Sequence, residues 1–145
     1  MRVTIDTNVL YQALRDNRGA SYFILTLVEE KRIELALSTP VFVEYSDVLL
    51  RDKSISDLSL SKKDINLVLD FLALVATPFS INFLLRPNLR DEKDNIFVEL
   101  AFASNSRFII TSNIKDFNEN KNLKFDSFKV ITPTDFAKYW RLNYE

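Results

Sequence analysis

The apolar positions along the chain switch repeatedly between the two-residue period of strands and the three- to four-residue period of helices. Each short apolar run is followed by a longer amphipathic stretch, and this alternation favours an α/β fold with a mainly parallel sheet covered on both faces. The predicted strands are 2–6, 33–38, 107–111 and 128–132, with a short extended stretch after Pro78. The predicted helices are 8–15, 20–31, 39–50, 62–76, 94–105 and 133–143.

Local signals refine two of these helices. The Thr39-Pro40 pair predicts a helix start, with Thr39 as the N-cap and proline at the first helical position. Ser61 is a candidate N-cap for the amphipathic run that follows it. The polar, serine-rich residues 51–60 and the charged residues 86–94 are predicted to be loops.

The length of 145 residues suits a single domain covering residues 1–145. No apolar run approaches the ~20 residues needed to span a bilayer. The N-terminal apolar stretch is too short for a secretory signal. We therefore expect a cytoplasmic protein with no membrane partner.

Three residue counts restrict the possible chemistry. The chain has no cysteine and no histidine, so thiolate sites, imidazole bases and the usual zinc ligands are excluded. Gly19 is the only glycine, which excludes the glycine-rich phosphate loops of nucleotide-binding proteins. The net charge of −1 argues against a broadly basic nucleic-acid binder but allows a local basic rim. Catalysis would have to use carboxylates, hydroxyls, amides, Lys, Arg or a hard metal ion.

Acidic and amide residues follow two of the predicted strands. Asp6 ends the first strand, and Asn113 and Asp116 follow the strand at 107–111. Ligands of open parallel sheets bind beyond the carboxyl ends of strands, where the strand order reverses. If these two strands are neighbours, their end groups meet at one edge. Taken singly, Asp6 could simply cap the next helix, and Asp116 could be an ordinary loop residue.

Two further acids interrupt apolar helix faces. Glu44 lies between Val41 and Val48 on one stripe, where an unpaired carboxylate would be costly. Its alternative role is an ion pair, for example with Arg51. Asp94 begins a helix whose apolar stripe continues through Phe97, Val98, Ala101 and Asn105, with the polar stripe predicted at Glu92, Asn95, Glu99 and Ser106. Its alternative role is that of a common helix-start residue.

Carboxylates that converge at one edge raise each other's pKa unless a cation compensates them. Oxygen ligands without His or Cys select a hard divalent ion, Mg²⁺ or Mn²⁺. Such an ion is the usual partner of phosphate chemistry, singly or as a pair.

At these residues the chain resembles the PIN domain family of metal-dependent nucleases, which includes the VapC-type toxins of toxin–antitoxin pairs. The similarity covers nearly the whole chain and is carried, in order, by "VTIDTNVLYQAL" at 3–14, "LSTPVFVEYSDVL" at 37–49, "RPNLRDEKDNIFVELAFAS" at 86–104 and "RFIITSNIKDF" at 107–117. The resemblance implies a three-layer α/β/α sandwich with a central, mainly parallel sheet. It also implies an endoribonuclease that uses one or two Mg²⁺ or Mn²⁺ ions, forms a homodimer and is inhibited by a cognate antitoxin.

The resemblance also assigns the site. Asp6, Glu44 and Asp94 match the family's first three acids, and Asn113 or Asp116 completes the metal shell. Asn113 stands where many members have aspartate. Thr7, Asn8 and Thr111 would orient ligands or waters, and Asp91 is an extra acid that could bind a second ion.

Basic residues flank this edge in sequence and could bind the phosphates of an RNA substrate. They are Arg86, Arg90, Lys93 and Lys115. Two other functions stay open: a PIN-like nuclease of RNA maturation outside any toxin pair, and a degraded PIN domain that binds without cutting.

Overall fold

The computed structural model describes the backbone of residues 1–81, 92–118 and 127–145, and the side chains of these residues except 92–94 and 118. Strands and helices alternate along the chain. The strands are β1 (Arg2–Ile5), β2 (Glu34–Leu37), β3 (Thr77–Pro78), β4 (Phe108–Ile110) and β5 (Lys129–Ile131). The helices are α1 (Thr7–Arg15), α2 (Ala20–Glu29), α3 (Thr39–Leu49), α4 (Asp52–Leu58), α5 (Lys62–Val75), α6 (Glu92–Ser104), α7 (Ile114–Asn118) and α8 (Pro133–Tyr144).

The five strands form one parallel sheet in the order β3-β2-β1-β4-β5. β1 is the central strand, and its Val3 aligns with Leu35 of β2 on one side and Phe108 of β4 on the other. Helices flank the sheet, which confirms the predicted three-layer α/β/α sandwich. The chain order reverses at β1, because β2 and β3 lie to one side of it and β4 and β5 to the other.

The core is centred on β1 and β4. Val3, Ile5, Ile109 and Ile110 are all buried, as expected for central strands with helices on both faces. Helix α6 packs across β1, β2 and β4. On the other side of the fold, α8 packs on α2 and contributes Phe136, whose ring meets Phe108 edge-on at 5.7 Å.

Two local predictions are wrong. Residues 51–60 are not a loop, because α4 occupies Asp52–Leu58 and buries Leu58. Thr39 is not the N-cap of α3. Ser38 holds that position, and its side chain accepts a hydrogen bond from the Val41 N–H.

The predicted polar face of α6 is also wrong. Asn95 and Glu99 are 0 % and 2 % exposed, whereas Phe102 is 44 % exposed. Ser106, beyond the helix end, is buried as well, and its hydroxyl shares a hydrogen bond with Thr4 at 2.9 Å. The helix is therefore buried around most of its circumference, and its polar residues lie inside.

Several predictions fall outside the described residues. They are residues 86–91 of the loop predicted at 86–94, with Arg86, Arg90 and Asp91, the end of the extended stretch after Pro78, and the side chains of Glu92, Lys93 and Asp94. For residues 92–94 the loop prediction is wrong, because their backbone forms the start of α6. In the part of the chain that is described, β3 is limited to Thr77–Pro78. No helix in that part is long and apolar enough to cross a membrane.

Candidate active site

Asp6 lies immediately after the central strand, where the strand order reverses. Its backbone N–H donates to the carbonyl of Ile110 in β4 at 2.9 Å, so the ends of β1 and β4 are tied together. The structure thus confirms that these two strands are neighbours. This arrangement is the one in which α/β proteins place their ligands.

The Asp6 carboxylate is held by side chains from both strand ends. Its Oδ2 accepts a hydrogen bond from the Thr111 hydroxyl at 2.7 Å and another from the Asn8 amide at 3.2 Å. Asp6 stands at the N-cap position of α1 but makes no side-chain capping bond. Asp6 thus occupies the cap position of α1, while its side chain bonds to Thr111 and Asn8.

The loop after β4 is fixed by the same residues. The Asn113 backbone N–H donates to the Thr111 hydroxyl at 3.0 Å, and the Ser112 N–H donates to the side-chain carbonyl of Asn8 at 3.2 Å. The Thr111 hydroxyl thus donates one hydrogen bond to Asp6 and accepts another from the Asn113 N–H. These bonds hold the Asp6 carboxylate and the backbone of Asn113 in one network.

A cleft of about 330 Å³ opens above Asp6. It brings together most of the residues predicted for the site and several that were not predicted. Its lining consists of Asp6, Thr7, Asn8, Tyr11, Gln12, Glu44, Val48, Phe97, Asn113 and Asp116. The side chain of Asp94 lies outside the described part, although its backbone is in the first turn of α6. Asp91 lies outside it entirely.

Glu44 reaches this cleft from α3 and is half-buried. Its proposed ion pair with Arg51 does not form, because Arg51 donates to Asp47 at 2.9 Å instead. Among the described residues, Glu44 has no cationic partner. Its carboxylate is therefore available to the cleft.

The carboxylates in the cleft affect one another. Burial raises the pKa of Asp6 above its usual value, and the negative charges of Asp116 and Glu44 raise it further. The Thr111 hydroxyl and the Thr7 backbone N–H partly offset this rise, because both stabilise the ionised form. Asp6 is thus a carboxylate whose charge is poorly compensated by its surroundings.

The side chains of the cleft that could ligate a metal are carboxylates, amides and hydroxyls, which all offer oxygen atoms. Oxygen ligands suit a hard divalent ion. The buried Thr7 hydroxyl adds a polar atom with no hydrogen-bond partner in the described structure. Among the side chains described, however, no group of three Asp or Glu residues is arranged to hold a metal ion. The residue types that line the cleft nevertheless fit such an ion.

The predicted site residues did not include Tyr45, which stabilises the end of the strand that precedes Asp6. Tyr45 is fully buried on α3, and its hydroxyl donates to the carbonyl of Ile5, the residue before Asp6. Its ring lies 6.4 Å from that of Phe97 in α6. A signal existed, because Tyr45 is four residues after the buried Val41 and a buried tyrosine hydroxyl needs an acceptor.

A family model described as PIN domain matches residues 2–115. The chain belongs to the PIN domain family. The match covers every residue that lines the cleft except Asp116, which lies one residue beyond its end.

Two relatives are consistent with this membership. An uncharacterised protein of Methanocaldococcus jannaschii is 31 % identical over 149 residues, covering 95 % of this chain and 90 % of its own length. The fold is also similar to a solved structure, VapBC2 of Rickettsia felis bound to a DNA fragment from their promoter. That match has a TM-score of 0.57 and 19 % identity, and covers 91 % of this PIN chain and 98 % of the other chain.

Proposed function

We propose that this PIN protein is a metal-dependent endoribonuclease that hydrolyses phosphodiester bonds and acts as the toxin of a toxin–antitoxin pair. The observation that carries the nuclease proposal is the buried Asp6 at the end of the central strand, with Glu44 and Asp116 lining the same cleft. The fold shared with a VapBC2 chain supports the toxin part.

The proposed metal ligands are Asp6, Glu44 and Asp94, with Asn113 and Asp116 completing the shell and Asp91 available for a second ion. A bound Mg²⁺ or Mn²⁺ would lower the pKa of a water and offset the negative charge of the phosphoryl group under attack. Binding the ion would also relieve the mutual repulsion that raises the pKa of Asp6.

The protein's own residues prepare this chemistry. Thr111 and Asn8 fix one oxygen of Asp6 and leave the carboxylate in a single orientation. Thr7 offers a buried hydroxyl that can bind a ligand or water. The cleft is open at the surface, and the exposed Lys115 directly precedes Asp116 of its lining. These features suit an internal phosphodiester of a flexible strand better than an enclosed small molecule.

The central experiment compares RNA cleavage by the wild type and Asp6→Asn in Mg²⁺ and in Mn²⁺. We expect the variant to lose at least a hundredfold in rate, because it keeps the hydrogen-bond acceptor but not the charge. Asp47→Asn, on the exposed side of α3, is the matched control and should cleave normally. Equal cleavage by the wild type and Asp6→Asn would indicate a contaminating nuclease and contradict the proposal.

Metal binding is tested separately by thermal unfolding. An ion at a hundred times its Kd stabilises the folded protein by about 2.7 kcal/mol. We expect millimolar Mn²⁺ to raise the Tm of the wild type but not that of Asp6→Asn. No rise in the wild type would contradict a metal site here.

The toxin part predicts two assemblies: a homodimer, and a complex with an antitoxin encoded by an adjacent gene. Co-purification with the product of that gene, together with loss of cleavage in the complex, would support it. Robust cleavage that no neighbouring gene product inhibits would favour a PIN nuclease of RNA maturation.

Asn113, an amide where many members have a carboxylate, is the observation that favours a degraded, binding-only domain. Tight RNA binding without cleavage in either metal would establish that function instead.

A further inference from the structure

Two more hollows continue the cleft along helix α1. The first holds about 300 Å³ and shares Gln12 with the cleft. The second holds about 470 Å³ between α2 and α8 and shares Gly19, Ala20 and Thr134 with the first. We call the three together the α1 groove, and the last hollow its basic end.

The residues of α1 show the order of the three hollows and the length of the path from the cleft towards the basic end. Thr7 and Asn8 line the cleft, Gln12 lines the cleft and the middle hollow, and Asp16 lines the middle hollow. Arg18, just beyond the helix, lines the basic end. The nine residues of α1 span about 14 Å at 1.5 Å per residue. That length matches about four stacked nucleotides at 3.4 Å each.

The charge of the groove changes along this path. The cleft carries Asp6, Glu44 and Asp116, whereas the basic end carries Arg18, Lys138 and Arg141. Of these cations, Arg18 is paired with Asp16 at 3.3 Å. Lys138 and Arg141 have no acidic partner among the described residues. In a chain of net charge −1, these two cations give the hollow a local positive charge.

The basic end also offers aromatic surface. Tyr22 is 39 % exposed there, and the Arg141 guanidinium lies over the Phe23 ring at 4.8 Å from its centroid. Aromatic and guanidinium planes beside free cations are the combination that binds single-stranded nucleic acid without sequence preference. The middle hollow contributes hydroxyl groups from Ser112, Thr132 and Thr134, which can donate to phosphate oxygens.

We propose that the basic end binds the phosphate backbone of the same RNA strand that is cut in the cleft, about four nucleotides from the scissile bond. This inference rests on the proposed ribonuclease function and extends it. The strand follows α1, with its phosphates on Lys138 and Arg141 and a base against Tyr22.

The test combines substrate length with charge removal. Lys138→Gln/Arg141→Gln is compared with the wild type on a 12-nucleotide RNA and on a trinucleotide too short to reach the basic end from the cleft. On the 12-mer, we expect the ratio of wild-type to variant kcat/KM to be about 25-fold larger at 0.1 M salt than at 1 M, since two lost phosphate contacts each carry a salt slope of about 0.7. On the trinucleotide, kcat/KM should be unchanged. An equal loss on both lengths, or no loss on either, would overturn the proposal.

Two controls keep the result specific. Lys62→Gln/Lys63→Gln removes the same charge from exposed positions at the start of α5, outside the groove, and should leave the 12-mer unaffected. Lys138→Gln alone preserves the Arg141–Phe23 contact, and we expect about half of the change in salt slope with the Tm unchanged. An unchanged salt slope in this single variant would overturn the contribution of Lys138.

A binding measurement separates this proposal from the nuclease proposal. Fluorescence anisotropy of the labelled 12-mer in EDTA needs no cleavage, and the double variant should bind more weakly with a salt slope smaller by about 1.4. If the wild type binds the 12-mer with this salt dependence but cuts no RNA, the ribonuclease function is contradicted, whereas RNA binding at the basic end is supported. If the wild type cuts RNA and the double variant binds the 12-mer equally well, the basic end fails alone. If millimolar inorganic phosphate fully displaces the 12-mer, the basic end is only a phosphate pocket. That result would also overturn the proposal.

Discussion

At the residue scale, the Asp6 carboxylate is kept in an environment that disfavours its charge. Burial and the charges of Glu44 and Asp116 raise its pKa above the ordinary 3.8. Between 3.8 and that raised value, the folded protein holds a proton that the unfolded chain has released. Stability therefore falls as the pH rises through this interval. The poorly compensated charge of Asp6 therefore reduces the stability of the fold above this interval.

We predict that Asp6→Asn, which should abolish cleavage, makes the metal-free protein more stable at pH 7. A gain of ~1 kcal/mol corresponds to a rise in Tm of about 2–4 °C in a domain of this size. The gain should disappear below pH 3.8, where the carboxylate is neutral in both states. Thermal unfolding in EDTA at several pH values measures it.

Asp16→Asn is a control for which we expect the stability to change in the opposite direction. The backbone N–H and the side chain of Arg18 lower the pKa of Asp16, so its charge favours the folded state. The substitution should reduce stability at pH 7. A loss of stability in Asp6→Asn as well would show that the Asp6 charge is compensated in the folded protein.

Residue chemistry alone located part of the site. Asp6, Asn113 and Asp116 follow apolar strands, and Glu44 interrupts an apolar stripe, so each is visible as an exception to a pattern. The prediction that Asn95 and Glu99 are exposed is wrong, because a helix across the centre of a sheet is covered on nearly every side and buries polar residues too. Thr111 and Tyr45 act through hydrogen bonds to residues 105 and 40 positions away, and no local pattern reveals these bonds.

At the element scale, helix α5 shows how a local signal fixes a boundary. The Ser61 side chain accepts from the Asp64 N–H at 3.1 Å, and the Asp64 carboxylate accepts from the Ser61 N–H at 3.1 Å. This reciprocal capping box satisfies two donors that the helix itself leaves free. The sequence prediction of this start is confirmed, because the signal lies within four residues.

We predict that Ser61→Ala lowers the free energy of unfolding by about 1 kcal/mol, since one capping bond is lost. Ser56→Ala, at an exposed position of α4, should change it by less than about 0.5 kcal/mol. Urea denaturation of both variants gives the comparison. Equal effects would mean that the cap contributes no more than an ordinary surface serine.

Helix α4 shows where local signals fail. Its serines suggested a loop by composition, but the Ser54 hydroxyl donates to the Val48 carbonyl at 2.6 Å, and Leu58 is buried in the core. The helix ends at Ser59, which adopts φ 55°, a conformation usually left to glycine. Tertiary burial rather than propensity therefore makes this segment helical, and a single-sequence pattern cannot show that.

At the scale of the whole molecule, the alternation of strands and helices was sufficient to predict the layers but not the strand order. The position of β1 between β2 and β4 depends on which apolar strands pair, and this is decided by packing over long sequence separations. The sequence predicts the edge at which the acids meet only if those pairings are assumed. The structure supplies them.

The single-domain expectation leads to a prediction for the whole chain. Trp140, the only tryptophan, lies on α8 and stacks on Tyr144 with centroids 4.3 Å apart, while α8 packs on α2. We expect Trp140 fluorescence and far-UV circular dichroism to report the same urea midpoint, because α8 and the sheet would unfold together. Phe136→Ala, which removes a ring packed on Phe108, should lower both midpoints through a loss of about 3–5 kcal/mol. Separate midpoints in the wild type would indicate that α8 forms an independent unit.

The central position of β1 has a consequence during synthesis. β1 and the Asp6 that follows it are synthesised before their partners, because β4 and the hydroxyl of Thr111 come more than a hundred residues later. At 5–20 residues per second, roughly 5–20 s separate the two. Until then the nascent chain has its acid but not the strand that orients it. A chain truncated midway would therefore lack both the strand and the hydroxyl that hold Asp6 in the cleft.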